Sequence, residues 1–299
     1  MKREKKELLP QLLIALGKSV CYAALFLGCQ CLVVLIYTVA VSAQLSMEYG
    51  YASQIILYER LNAASILLTM ASGLLTIAIV LAFYLVRRKK LGEALWLRPV
   101  PAPTLLSGAA LAPAMYLIVG GVLTLLPETW IESYNEASSS LDDSSAAAFI
   151  AVVLVAPIVE EFIFRGLIMT RLRQAMPGWA AAALAAAVFG LFHGHPVWFG
   201  YAFVLGFIFG LMDLRSESIL PSILGHVAFN LINQLLTLVP KSEDGAEMLI
   251  AMAVLLLAAI VLPILNRKAV AAIFRPAPKA PPVPPPQPPA DYGFNPWDN

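Results

Sequence analysis

Long apolar segments constrain this chain more than any other feature of its sequence. Eight of them occupy residues 19–43, 62–86, 103–126, 146–170, 177–193, 197–214, 219–239 and 246–266. Each is close to the roughly 20 residues that a helix needs to cross a bilayer. Hydrophobic residues make up 60% of the chain and charged residues 13%, a balance that excludes an ordinary water-soluble domain. The sequence therefore predicts an all-α polytopic membrane protein with about eight transmembrane helices.

Basic residues are distributed unevenly between the two ends of these segments. If the N-terminus lies in the cytosol, 17 of the 20 Lys and Arg residues are cytosolic, Arg60 and Lys241 are external, and Arg165 is within the membrane. The loops that are then external are acidic and carry Glu128, Glu132, Glu136, Asp142, Asp143, Glu243 and Asp244. The positive-inside rule thus predicts a multi-pass protein of the cell membrane with both termini cytosolic.

The composition changes abruptly after Phe274. Residues 275–290 read RPAPKAPPVPPPQPPA, which favours polyproline II and cannot form a packed core. We therefore divide the chain into a membrane domain, 1–274, and a disordered proline-rich cytosolic tail, 275–299. Docking of this tail into an aromatic-lined groove of a partner protein is the alternative. The formal net charge of +1 gives no sign of a nucleic-acid partner.

Three charged residues lie deep in the fourth apolar segment, which reads VAPIVEEFIFRGLIM. Each charge costs about 2.5–3.5 kcal/mol to insert at the centre of a bilayer, so their presence requires a reason. On a helix, Glu161 and Arg165 are four residues apart and can pair, whereas Glu160 is turned away by about 100°. Pro157 removes a backbone hydrogen bond nearby and is expected to kink the helix. We expect Glu160 to be the carboxylate that remains free for chemistry.

Two histidines fall at helical spacing with a companion residue, as Phe189 with His193 and His226 with Asn230. Taken singly, a buried histidine is more often a packing residue than a functional one. Glu160 and His193 are both about 16–17 residues from the turn at Met176, so an antiparallel helical hairpin brings them to one depth. We expect them to face each other, with His226 and Asn230 joining from a later helix.

A carboxylate, two imidazoles and an amide at one depth provide a general base, up to three ligands for zinc, and a donor to a developing oxyanion. The candidate metal ligands are Glu160, His193 and His226. A hydrolase that activates water fits these groups, because neither histidine has a serine or cysteine nucleophile beside it. A proton-coupled transporter using the buried Glu and His residues is the alternative. A catalytically inactive scaffold is a third hypothesis.

The cysteines and the third histidine are not expected to contribute to this site. The three cysteines, Cys21, Cys29 and Cys31, all lie in the first apolar segment, which excludes a disulfide framework and a Cys-ligated metal site. The remaining histidine, His195, lacks a companion of this kind and is expected at the outer membrane surface.

The combination resembles the CAAX-processing and bacteriocin-processing (Abi, or CPBP) intramembrane proteases, which include the type II CAAX prenyl endopeptidases. The motifs that carry the resemblance are Glu160-Glu161-x-x-x-Arg165, Phe189-x-x-x-His193 and His226-x-x-x-Asn230, in this order on separate segments within about 145–240. The resemblance implies an eight-helix metalloendopeptidase or glutamate-dependent endopeptidase acting on a peptide or protein at the bilayer. It implies that Glu160 activates water, that Glu161 and Arg165 brace the helix, and that His193, His226 and Asn230 complete the site. It leaves open whether zinc is required and whether the substrate is prenylated.

Overall fold

The structure, a computed structural model, describes residues 2–50, 53–88, 90–139, 145–240 and 245–273. Within these ranges every regular element is a helix. The helices are α1 (Lys2–Tyr49), α2 (Gln54–Val86), α3 (Leu91–Ala94), α4 (Ala102–Leu123), α5 (Glu128–Ser139), α6 (Ala146–Leu172), α7 (Gly178–Leu191), α8 (Pro196–Ser216), α9 (Leu220–Thr237), α10 (Ala246–Leu265) and α11 (Arg267–Ile273). The predicted tail, 275–299, lies outside the described residues, as do Asp142, Asp143, Lys241, Glu243 and Asp244.

Six of these helices are long and apolar enough to cross a membrane, namely α1, α2, α4, α6, α8 and α10. The all-helical, multi-pass prediction is therefore confirmed for the described residues, with six such helices instead of eight. The other two predicted spans are also helical. The helix α7 is apolar but has only 14 residues. The helix α9 has 18 residues, but polar side chains including His226, Asn230 and Gln234 interrupt its apolar character.

Two helices extend well beyond the predicted apolar segments, and a third was not predicted. The first helix has 48 residues, and α2 begins at Gln54, where the Ser53 hydroxyl accepts a hydrogen bond from the Ile56 N–H. The helix α5 lies in a loop that the sequence analysis treated only as acidic. Apolar runs detect the part of a helix that suits lipid, so polar helical residues at either end were missed.

The helix α6 lies at the centre of the fold, where every residue from 161 to 170 is buried. It contacts α1, α2, α7 and α9, while α7 packs along α8 and α9 packs along α4. Glycines allow the close approach of α9 to α4. A Cβ built on Gly108 would lie 2.2 Å from the Pro221 carbonyl oxygen and 2.9 Å from the Gly225 Cα. Contact between the two backbones thus fixes the position of α9, the helix that carries His226.

Candidate active site

The helix α6 is not a regular α-helix where it carries the charged residues. Its segments Ala151–Val155 and Glu161–Met169 are π-helical, with α-helical turns between and around them. Such π segments occur frequently at functional sites. The Ala156 N–H bonds to the Ala151 carbonyl, and Pro157 has no N–H. The Val152 carbonyl would accept from residue 156 in an α-helix and from residue 157 in a π-helix. Here neither backbone nitrogen donates to it.

Asn230 supplies the missing donor. Its side-chain Nδ2 donates a hydrogen bond of 2.9 Å to the Val152 carbonyl oxygen, which joins α9 to α6. Pro157, which was predicted to kink α6, follows a π-helical segment. It also leaves the Val152 carbonyl free to accept a hydrogen bond from α9. Asn230 was predicted as a site residue from its spacing to His226, but its partner on α6 was not foreseen.

The Glu161–Arg165 pair is confirmed. Arg165 Nη1 lies 3.1 Å from Glu161 Oε1, at the distance of an ion pair although without hydrogen-bond geometry, and both side chains are inaccessible to solvent. The guanidinium also lies over the Phe189 ring, with 4.6 Å between Cζ and the ring centroid. A Cβ on Gly206 would lie 2.7 Å from Arg165 Nη2, so only glycine leaves room for the guanidinium there.

His226 lies between the two glutamates. Its Nδ1 is 2.9 Å from Glu161 Oε1, and its Nε2 is 3.6 Å from Glu160 Oε2. Because Glu161 pairs with Arg165, its carboxylate can only accept, so His226 Nδ1 carries the proton in this bond. The Glu160 side chain is 25% exposed, whereas that of Glu161 is 0% exposed. The two adjacent carboxylates therefore have opposite environments.

His193 is held separately, at the C-terminal end of α7. Its Nδ1 lies 2.9 Å from the Phe189 carbonyl oxygen, so Nδ1 carries a proton and Nε2 is directed elsewhere. The Phe189 ring contacts both imidazoles, with its centroid 4.7 Å from that of His193 and 6.0 Å from that of His226. Among the described residues, His226 rather than His193 is the histidine that lies within 4 Å of the Glu160 carboxylate.

Sequence reasoning missed two polar residues beside the site, Asp213 on α8 and Ser222 on α9. The Ser222 hydroxyl donates to Asp213 Oδ2 at 2.8 Å, and both side chains are fully buried. Asp213 is close enough to Glu161 and Arg165 to interact with both electrostatically. The signal that could have found it is an acidic residue inside the predicted span 197–214.

Glu160, His193 and His226 are the candidate ligands for a zinc ion, which needs three protein ligands in a catalytic site. Within the ranges that the structure describes, no group of three His, Cys, Asp or Glu side chains is placed to hold a metal ion. Both ring nitrogens of His226 face carboxylates, and His193 Nδ1 faces a backbone carbonyl. Each histidine nevertheless keeps its Nε2 available, because Nδ1 faces a carboxylate or a backbone carbonyl, as it does in histidines that bind metals.

The remaining histidine and the cysteines have structural surroundings. His195 precedes α8 and accepts a hydrogen bond at Nδ1 from the Val197 N–H, while its Nε2 lies 3.2 Å from the Ser133 hydroxyl. The cysteines are all free; Cys29 is buried, whereas Cys21 and Cys31 are exposed on the surface of α1.

Comparison with known proteins identifies the family of this region. Residues 142–232 match the family model described as "Type II CAAX prenyl endopeptidase Rce1-like". A search of curated proteins and a search of solved structures each give no match. The matched residues include Glu160, Glu161, Arg165, Phe189, His193, His226 and Asn230. Residues 142–232 are therefore similar to the CAAX protease family.

Proposed function

We propose that this chain is an intramembrane endopeptidase of the CAAX-protease type in which Glu160 activates the water that attacks a peptide bond. The observation that supports this role is the contrast between the two glutamates. Glu161 is fully buried and engaged by Arg165 and His226, whereas the Glu160 side chain is partly exposed and lies 3.6 Å from His226 Nε2. A general base has to reach a water molecule, and Glu160 is the carboxylate that can do so.

The reaction follows from these positions. A water molecule that is hydrogen-bonded to Glu160 loses a proton to the carboxylate. At the same time the water oxygen forms a bond to the carbonyl carbon of the scissile peptide. The tetrahedral intermediate then collapses, the C–N bond breaks, and the protonated Glu160 gives the proton to the leaving nitrogen. His226 Nε2, 3.6 Å from Glu160 Oε2, is close enough to contact the same water. No metal is needed in these steps.

Asn230 and His193 are proposed to stabilise the negative charge on the carbonyl oxygen. The Asn230 amide has two N–H groups, and the Val152 carbonyl uses one of them. The second remains to donate to an oxyanion. His193 uses Nδ1 for the Phe189 carbonyl, so it can donate from Nε2 only as an imidazolium. Such donors typically contribute a factor of about 10²–10³ to kcat.

Glu161, Arg165 and Phe189 are proposed to position the reacting groups. Glu161 fixes the His226 tautomer, Arg165 balances the charge of Glu161, and the Phe189 ring supports both the guanidinium and the two imidazoles. We further propose that α7 and α9 cross the membrane with the six longer helices. Within α9 the protein buries His226 and half-buries Asn230, as expected for polar residues at membrane depth, and an eight-helix arrangement with cytosolic termini agrees with the positive-inside rule.

The substrate class proposed here is a peptide or protein presented at the bilayer. The family name supports peptide-bond hydrolysis, and the proton-coupled transporter is not favoured. The proline-rich tail, 275–299, remains a candidate ligand for an aromatic groove of a partner.

The test is to incubate purified protein with a library of membrane-associated peptides and to compare wild type with Glu160→Gln. This change removes the base and little volume, so cleavage should fall by at least about 10²-fold without loss of the folded protein. The control is Glu59→Gln, which alters an exposed glutamate on α2 and should retain wild-type cleavage. Full activity of the Glu160→Gln variant would refute the proposed mechanism.

Chelation tests the role of metal separately. We expect treatment with 1,10-phenanthroline to leave peptide cleavage unchanged, because the donors around Glu160 do not form a three-ligand site. Reversible inhibition by the chelator, with about one zinc per chain by elemental analysis, would replace the metal-independent step with a zinc-dependent one.

A further inference from the structure

A second polar pocket lies away from Glu160, between α1, α2 and the C-terminal end of α6. Its volume is about 500 Å³, and it is lined by Lys18, Tyr22, Phe83, Tyr84, Arg87, Lys90, Glu93, Ala94 and Arg171. Arg171 follows Glu160 by 11 residues, about three helical turns further along α6, and Glu160 is not among the residues that line the pocket. The two sites are therefore separate, and the proposed peptidase mechanism uses none of the residues of this pocket.

The charge of the pocket indicates an anionic ligand. Four basic residues line it, against one carboxylate, Glu93, which lies 3.5 Å from Lys90. Lys18 immediately precedes the first predicted apolar segment, 19–43, and its exposed side chain lies where a lipid headgroup would be. Grouping like charges around one cavity raises the free energy of the protein unless an anion lies among them.

Arg171 is held in place for such a ligand. Its Nη2 donates to the Tyr84 hydroxyl and to the Ala94 carbonyl oxygen, the latter at 3.2 Å. The Tyr84 hydroxyl in turn lies 3.1 Å from the Tyr22 hydroxyl, which connects α2 to α1. A guanidinium has five N–H donors, so several remain for a phosphate oxygen. A positioned arginine with flexible lysines around it is a common arrangement for binding phosphate.

The surroundings favour a lipid over a soluble phosphate. Phe83 lines the pocket and is more than half exposed, and Val20 of α1 and Val86 of α2, each within two residues of a lining residue along the chain, are also strongly exposed. These apolar surfaces can pack against acyl chains whose headgroup occupies the cavity. We propose that this pocket binds the phosphate headgroup of an anionic membrane lipid, which would hold α1 and α2 against α6.

The experiment uses the full chain in detergent and measures lipid adducts by native mass spectrometry. Phosphatidylglycerol and phosphatidylcholine with identical acyl chains are titrated in parallel. We expect phosphatidylglycerol to bind at least about tenfold more tightly than phosphatidylcholine, since only the former has a net negative charge. The double substitution Lys18→Gln/Arg87→Gln should weaken phosphatidylglycerol binding by about tenfold or more, and each single substitution by about threefold.

The matched control is Arg267→Gln/Lys268→Gln, which removes two exposed cations of α11 that do not line the pocket. Its binding should remain within about twofold of wild type, as expected for charges outside the site. Lys18 and Arg87 are exposed, so their substitution is expected to preserve folding, which a melting curve verifies.

Three outcomes would overturn the proposal. One is equal binding of the two lipids, and another is an equal loss of binding in the control variant. The third is displacement of phosphatidylglycerol by about 10 mM sodium phosphate at constant ionic strength, which would identify a soluble anion as the occupant.

Discussion

Helices α6 and α10 are both long and apolar enough to span a bilayer, but their surroundings are opposite. In the most apolar stretch of α6, 56% of the residues are buried inside the protein, against 6% in α10. The helix α6 carries Glu160, Glu161 and Arg165 near its middle, whereas the charged residue of α10, Glu247, lies at its start. Correspondingly, α10 is the more apolar of the two.

The difference shows where a membrane protein can hold charge. A helix that faces lipid needs apolar side chains along its length, since no partner in the hydrocarbon can compensate a charged group. A helix surrounded by other helices is shielded from lipid, and its charged residues can find partners such as His226 or the Phe189 ring. In this chain, α6 is the less apolar and more buried of the two helices, and it is the one that contains the candidate catalytic residues.

The largest effect on this contrast is expected from Glu161→Ala. The substitution leaves Arg165 as an unpaired charge in the centre of α6 and removes the acceptor of His226 Nδ1. We expect a loss of about 3–5 kcal/mol in the free energy of unfolding, together with loss of cleavage. Thermal unfolding in detergent measures the loss of stability.

The control for this substitution replaces both partners, as Glu161→Leu with Arg165→Leu. Removing both charges should restore much of the stability but not the activity, since His226 still lacks its partner. A Glu161→Ala variant as stable as wild type would show that the pair does not brace α6.

A second, smaller effect compares the same kind of truncation on the two helices. Ile163 of α6 is fully buried, whereas the Leu257 side chain of α10 is largely exposed. Ile163→Ala should cost about 2–5 kcal/mol because it leaves a cavity. Leu257→Ala should cost less than about 1 kcal/mol because lipid or detergent can fill the space. Equal losses in the two melting curves would mean that α10 is covered by protein, for example by a second copy of the chain.

The smallest effect is expected from Gly206→Ala on α8. The added methyl would lie 2.7 Å from Arg165 Nη2 and 3.0 Å from the Phe189 ring. The guanidinium has to move, which we expect to cost about 1–3 kcal/mol and to lower kcat. Gly200→Ala on the same helix is the control, because a Cβ there meets no atom within 4 Å. Similar melting temperatures and activities for both variants would show that Arg165 has free space around it.

The sequence predicted those parts of the site that depend on ordinary helical spacing. The four-residue separation of Glu161 and Arg165 gave their ion pair, and the spacing of His226 and Asn230 gave two side chains that both reach α6. Hydropathy predicted the six helices that are long and apolar enough to cross a membrane, but not the polar ends of α1 and α2.

Other features depend on information that spacing does not contain. The π-helical winding of α6 arises where backbone bonds shift by one residue, and the residue pattern around Pro157 fits an ordinary kink equally well. The burial of Asp213 depends on which neighbours pack around the end of α8, and the contact of both imidazoles with one aromatic ring depends on where Phe189 lies. These features required the assembled helices.

The hydrogen bond between Asn230 and Val152 has a consequence for how the site responds to its environment. Asn230 is four residues from His226, about 6 Å along α9, so the contact sets the height of the imidazole beside Glu160. An unmet carbonyl in apolar surroundings costs several kcal/mol, which opposes any sliding of α9 along α6. Both groups in this bond are uncharged and neither titrates. The alignment of the two helices should therefore persist at ionic strengths and acidities that alter the charged residues one turn away.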